Sequence, residues 1–410
     1  MNLLVTNIKS LFQVRDSTPS FLAGDAMAIL PAIDNAYLAT DGDKISAFGE
    51  MSDMPSTSGY EVIDAKGGFL FPSFVDSHTH LVFAAYREEE FVLKIKGATY
   101  EQIAASGGGI LNSAKKLQGI SEDELLERSL PRAWEIIRTG TGAVEIKSGY
   151  GLTVKDEIKM LRVAKRIGKE TPLLVKTTFL GAHAVPREMK KEDYINLILE
   201  EMIPAVAEER LADYIDAFCE EGFFTQSETE RIMERGKQFG MTPRIHANQL
   251  HRSGGVQAGV NTGAISVDHL ENIGDEEIEL LKGTKTMPTA LPGAAFFINL
   301  PMPPARRMLL AGLPLAIASD YNPGSAPSGN MLHMISLACI RMKVTPEEAV
   351  NACTINTAYT LGLLKSHGSI TKGKTANFFL TKPMPSLAYM PYRFGERHIE
   401  RIVLGGSMVD

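Results

Sequence analysis

A chain of 410 residues, 44% apolar and 22% charged, has the balance of a globular protein and the length for a large barrel with an accessory unit. Its formal charge of −7 argues against a nucleic-acid binder, which normally needs a basic face. No apolar run reaches the roughly 18 residues of a membrane span, and Met1-Asn-Leu-Leu-Val-Thr-Asn7 lacks the basic start and apolar core of a signal peptide, so a cytoplasmic protein without membrane contact is expected.

In chain order, short β-like pieces come first, at residues 3–6, 37–39, 44–48 and 61–63, separated by polar and glycine-containing turns. From residue 71 the pattern changes to apolar strands alternating with amphipathic helices, the sign of a parallel sheet made of βα units. Eight strands are predicted, at 71–77, 142–147, 174–180, 214–219, 243–246, 264–268, 285–289 and 314–319. Ser121-x-x-Glu124 and Ser227-x-x-Glu230 read as capping boxes, and Thr345-Pro346 as a helix start with proline in its first turn. Gly140, Gly168 and Gly240 stand where helices should stop. The last 45 residues return to β pieces, at 376–380 and 399–404. The expected fold is α/β: a (β/α)8 TIM-like barrel over 67–363, beside a small β-sandwich domain formed by the N- and C-terminal segments, 1–66 and 364–410.

Such barrels carry their chemistry at the carboxyl ends of the strands. Strand one runs into His78-Thr-His80, strand two into Ser148-Gly-Tyr150 and strand three into Gly181-Ala-His183. Strand four ends at Cys219-Glu220, strand five at His246-Ala-Asn-Gln249, strand six at Asp268-His269-Leu-Glu271 and strand eight at Asp320-Tyr-Asn322-Pro-Gly324-Ser325. Five of the nine histidines fall at these ends, a register that scattered histidines would not keep.

Residues i and i+2 of a strand share a face, so His78 and His80 can bind one ion together. With His246 and Asp320 they make a His3Asp set with an open position, suited to a single divalent or trivalent ion, zinc or iron. Such an ion acidifies water and polarises a carbonyl; Asp320 can also take the water proton, and His269 can orient the water or simply hydrogen-bond inside the barrel. Arg87, seven residues past His80, offers a planar fork for a substrate carboxylate, or else pairs with the carboxylates at 88–90. The turn Asn322-Pro-Gly-Ser325 offers backbone N–H groups to an anionic or carbonyl oxygen, or is an ordinary turn. Cys219, Cys339 and Cys353 are scattered without C-x-x-C spacing, as buried reduced thiols would be. The glycine run at 107–109 lacks the pattern of a phosphate loop.

Several segments resemble the imidazolonepropionases, a family of the amidohydrolase superfamily. They are His78-Thr-His-Leu-Val-Phe83, Glu145-Ile-Lys-Ser-Gly-Tyr-Gly151, Thr178-Phe-Leu-Gly-Ala-His-Ala-Val-Pro186, Asp216-Ala-Phe-Cys-Glu220, His246-Ala-Asn-Gln249, Asp268-His-Leu-Glu271, Pro303-Pro-Ala-Arg306 and Ser319-Asp-Tyr-Asn-Pro-Gly324. The resemblance implies hydrolysis of the ring C–N bond of 4-imidazolone-5-propanoate to N-formimidoyl-L-glutamate, in histidine breakdown, by a homodimer. It implies zinc or iron on His78, His80, His246 and Asp320. It places Arg87, Tyr150, His183, Asn322, Gly324 and Ser325 against the substrate. Gln249 stands where some members carry a glutamate that contacts substrate and assists proton transfer; a neutral amide cannot be a base, which leaves that duty to Asp320 and His269. Ser73 and Asn377 also depart from the family's usual glycine and aspartate, at positions outside the ligand set. Two other readings compete: an aminohydrolase of neutral purines or pyrimidines, which would not need Arg87, and a metal-free scaffold on a retained barrel.

Overall fold

The structure, a computed structural model, describes residues 2–98 and 108–409. The first five strands are β1 (Leu3–Phe12), β2 (Ala32–Asp41), β3 (Lys44–Glu50), β4 (Glu61–Asp64) and β5 (Gly68–Pro72). The barrel strands follow: β6 (Phe74–Asp76), β7 (Thr141–Lys147), β8 (Leu174–Ala182), β9 (Tyr214–Cys219), β10 (Thr242–Ala247), β11 (Ser266–His269), β12 (Met287–Ala290) and β13 (Ala316–Ile317). The chain ends in β14 (Phe378–Pro383), β15 (Ile399–Leu404) and β16 (Ser407–Val409).

β6 to β13 lie side by side in sequence order, all parallel, with helices between them, as the alternation of apolar strands and amphipathic helices predicts. The ladder does not close between β13 and β6 themselves. Closure comes just beyond them, where Asp320 N–H donates to the His78 carbonyl and His80 N–H to the Tyr321 carbonyl, both at 2.9 Å. Both ends of the chain build a second, mixed sheet in the order β16-β15-β14-β5-β1-β2-β3, with β4 also paired to β1. The two sheets meet through aromatic rings: Phe379 of β14 lies 5.4 Å from Phe71 of β5 and 4.9 Å from Phe74 of β6.

Four expectations are corrected. The apolar run at 71–77 is not one strand; β5 belongs to the terminal sheet, and the chain crosses into the barrel at Ser73, whose N–H donates to the Asn377 carbonyl. Gly168 ends no helix but lies inside Val154–Glu170, where an added Cβ would come within 3.2 Å of Val175 Cβ, so it serves close packing on β8. The cap of the helix Gln226–Gln238 lies two residues before Ser227: it is Thr225, with Glu228 completing the box. The eighth strand shrinks to two residues, because the chain beyond it turns to form the site. Ser121 caps its helix by accepting from Glu124 N–H, while the Glu124 carboxylate takes Arg128; Thr345 and Glu348 form a full capping box, and Gly140 (φ +91°) and Gly240 (φ +81°) follow helix ends. Of the glycines at 107–109, Gly107 lies outside the described residues; Gly109 precedes the helix Ile110–Gln118.

Candidate active site

The strand ends converge as the register requires. His78, His80, His246, His269 and Asp320 are all buried. Asp320 Oδ1 lies 3.5 Å from Nε2 of both His78 and His80, and His80 Nε2 lies 3.3 Å from His246 Nε2. His269 joins His78 and Asp320 in a second grouping of the same compactness. Asp320 and His269 hold positive φ (+57° and +89°), a conformation a non-glycine side chain adopts only when its surroundings fix it.

Carboxylates behind two of the rings, His78 and His246, fix their tautomers. His78 Nδ1 meets Asp268 Oδ2 at 2.7 Å, and His246 Nδ1 lies 3.0 Å from Asp216 Oδ2. Each ring therefore presents an unprotonated Nε2 to the centre. The two carboxylates are themselves balanced: Asp268 pairs with buried Arg244 at 3.2 Å, and Asp216 with Lys147 at 2.9 Å, which also reaches Glu145 at 2.9 Å. Arg244 further donates to the Ser77 carbonyl at 2.7 Å. The sequence reading passed over this layer. Its signal was present: Glu145, Lys147, Asp216, Arg244 and Asp268 are charged residues inside otherwise apolar strands, and a charge there must find a partner.

Burial, and then neighbouring cations, hold His78 well below the usual imidazole value; burial and then His183 do the same to His80, so both rings are neutral lone-pair donors. Burial pushes the Asp320 carboxyl up to about 7 against the pull of His269. The donor set fits a cation: His78 Nε2 is buried without a hydrogen-bond partner, and two ring nitrogens 3.3 Å apart need positive charge between them.

A cavity of about 680 Å³ opens over this centre and is lined by Arg87, Tyr150, His183, Gln249, Asn322, Gly324 and Ser325 along with the histidines. His183 Nδ1 lies 2.9 Å from the Gly149 carbonyl; burial takes its pKa down to about 3, so its neutral ring turns Nε2 outward as an acceptor. It stacks on His80 with centroids 5.1 Å apart, and Tyr150 lies 5.4 Å away. Arg87 is buried, its Nε donating to Glu90 Oε2 at 2.9 Å, so the pairing with that carboxylate and the place in the cavity hold together. The turn after Asp320 differs from its expected use. The N–H groups of Gly324 and Ser325 both donate to Asn322 Oδ1, each at 2.8 Å, so Asn322 builds the turn and those amides are not open to a ligand. Glu220 accepts from Leu250 N–H at 2.8 Å and thereby holds the loop after β10.

A parallel barrel with three imidazoles and a carboxylate at its carboxyl rim defines an amidohydrolase. Residues 69–409 match the amidohydrolase family. The chain is 53% identical to imidazolonepropionase of Christiangramia forsetii over 411 residues, 100% of both chains. It is 53% identical to that of Flavobacterium johnsoniae (99% of each chain) and 39% to that of Geobacillus kaustophilus (99% and 97%). Among solved structures, Escherichia coli guanine deaminase shares the fold with a TM-score of 0.76 at 15% identity over 100% and 99% of the chains. An adenosine deaminase from Xanthomonas campestris does so with 0.73 at 15% identity over 99% and 92%. The chain belongs to the imidazolonepropionase family of the amidohydrolases.

Proposed function

We propose that this chain adds water across the ring C–N amide bond of 4-imidazolone-5-propanoate, giving N-formimidoyl-L-glutamate in histidine degradation. The observation that carries this reading is the buried Arg87 in the same cavity as the His-rich centre: a cyclic amide with an acidic tail needs both, whereas a neutral purine needs only the second.

His78, His80, His246 and Asp320 would hold one ion per subunit, and three imidazoles with one carboxylate suit zinc and iron alike. Such an ion supplies Lewis acidity, acidifying water and polarising the amide carbonyl. Asp320 accepts the proton that water loses on attack at the carbonyl carbon and delivers it to the departing ring nitrogen as the C–N bond breaks. His269, packed against Asp320, hydrogen-bonds the developing oxyanion. Gln249, a neutral amide at the rim, holds the ring by hydrogen bonds and takes no proton. Tyr150 and His183 flank the ring, Arg87 receives the propanoate, and Asn322 with Gly324 and Ser325 forms the wall beneath it. The family also carries a homodimer in the cytoplasm into this proposal; among the described residues no helix is long and apolar enough to cross a membrane.

Loss of the imidazolone ultraviolet absorbance on adding enzyme, with and without a chelator, tests the reading. Turnover abolished by the chelator and restored by zinc or iron is expected; turnover indifferent to chelation rejects the metal centre, and no turnover rejects the substrate.

A further inference from the structure

Arg87 alone does not make a carboxylate subsite; its fork must point one way. The helix Glu88–Ile95 follows it directly and brings three charges together, Arg87, Glu90 and Lys94, spaced i, i+3 and i+7; Arg87 and Lys94 line the cavity, while Glu90 faces an adjoining hollow that Arg87 also lines. Glu90 is buried, and its two oxygens are shared among three donors. Oε2 takes Arg87 Nε–H at 2.9 Å, while Oε1 takes Gly109 N–H at 3.1 Å and Asn112 Nδ2 at 3.2 Å. The far side of the guanidinium is set by Gly324, where an added Cβ would lie 2.4 Å from Arg87 Cζ and Nη1. Lys94 Nζ donates to the carbonyl of the same Gly324 at 3.2 Å.

We propose that Glu90 is a positioning residue that confers selectivity for a carboxylate-bearing substrate, acting through Arg87. With Nε engaged by Glu90, the pair of terminal nitrogens is the edge presented for bidentate binding. Glu90 also offsets one of the two cations that meet at Gly324, leaving the three charges with a net of about +1, which a single tail carboxylate neutralises. That net charge matches a monoanionic tail.

This inference rests on the proposed reaction, and the experiment separates the two. Wild type, Glu90→Ala, Glu90→Gln, Arg87→Ala and the double variant R87A/E90A are assayed on 4-imidazolone-5-propanoate and on the same ring with a neutral propanamide tail. Failure of wild type on the propanoate overturns the proposed reaction itself. Given wild-type turnover, Glu90→Ala should raise KM for the propanoate about tenfold with kcat within about threefold, and leave kcat/KM for the propanamide unchanged. Glu90→Gln should recover most of the loss, because its carbonyl oxygen still accepts from Nε–H. Adding Glu90→Ala to Arg87→Ala should have no further effect. Equal losses on both substrates, or the same factor in the Arg87→Ala background, would show that Glu90 only ties down the segment at Gly109, and the proposal falls.

Discussion

Arg87 and Gly324 constrain each other: the guanidinium lies where any larger residue at 324 would put its Cβ. Arg87→Ala should therefore raise KM for the propanoate substrate by roughly ten- to a hundredfold, the worth of a charge-assisted bidentate contact, with a smaller effect on kcat. Gly324→Ala should reproduce that KM effect by displacing the arginine, and wild-type kinetics in that variant would disprove the contact. Behind the centre, Asp268 serves His78 and Arg244 at once. Asp268→Asn should weaken metal affinity by about ten- to a hundredfold while leaving the four proposed ligands in place, which competition with a metal indicator dye can measure. Unchanged affinity would mean that the carboxylate only neutralises Arg244. These two layers were unequally legible in the sequence. His78, His80, His246 and Asp320 stand out because each interrupts an apolar run at its carboxyl end. Asp268, Asp216 and Lys147 are hidden because their partners lie on other strands; only the cost of burying a charge alone announces that partners exist.

Whole elements were readable where one physical cause dominated. Strand and helix alternate because the strands are largely buried on both faces and the helices on one; the alternation follows from hydrophobicity, and right-handed crossovers then set the strand order. The break inside 71–77 was hidden for the same reason, since β5 and β6 are buried in different sheets and nothing apolar marks the crossing. Gly168 misled because a glycine needed for close packing looks like a helix stop. Asn377 stands at the join of the terminal sheet, and its amide sets the state of a neighbouring histidine. Asn377 Oδ1 accepts from Gly405 N–H at 2.7 Å, which turns Nδ2 toward His367 Nε2 at 2.9 Å and requires the ring to be an acceptor. Burial, with Lys374 nearby, accordingly takes His367 down to about 4 from its ordinary 6.5. In that interval the unfolded chain binds the proton and the folded one does not, so the stability contribution is complete above about pH 6.5 and is lost as pH falls toward 4. The full loss is about 3 kcal/mol. Asn377→Asp should remove this acid sensitivity, since a carboxylate accepts from the protonated ring while still accepting from Gly405. Urea midpoints at pH 7.5 and pH 5 decide it: an equal drop in wild type and variant would clear His367 of the effect.

For the molecule as a whole, the proposed metal ligands are also the seam of the barrel. β13 has only two residues, and its ladder stops before reaching β6. Two backbone bonds join the first and last barrel segments, from Asp320 to His78 and from His80 to Tyr321, so three of the four proposed ligands supply closure with their own backbones; Ser319 adds its N–H and hydroxyl to the Asp76 carboxylate. Next to them, Thr79 Oγ1 donates to the Glu145 carbonyl at 2.7 Å and ties the seam to β7. An ion shared by side chains of both edges thus opposes opening of the barrel at its seam, where no continuous strand ladder runs between β13 and β6. Binding to the folded state alone stabilises by about 4 kcal/mol when the free ion exceeds its dissociation constant a thousandfold. Stripping the metal should therefore lower the melting temperature by several degrees, and hydrogen exchange should rise at the amides of His80 and Asp320 before it rises in β9 and β10, on the far side of the barrel. Zinc or iron should reverse both changes. Asp320→Asn, which keeps the backbone bond but offers the ion a neutral oxygen, should melt near the chelated wild type and respond little to chelator. A chelated wild type that melts with the untreated protein, or exchange that rises evenly around the barrel, would separate the metal from closure and leave the ion with chemistry alone.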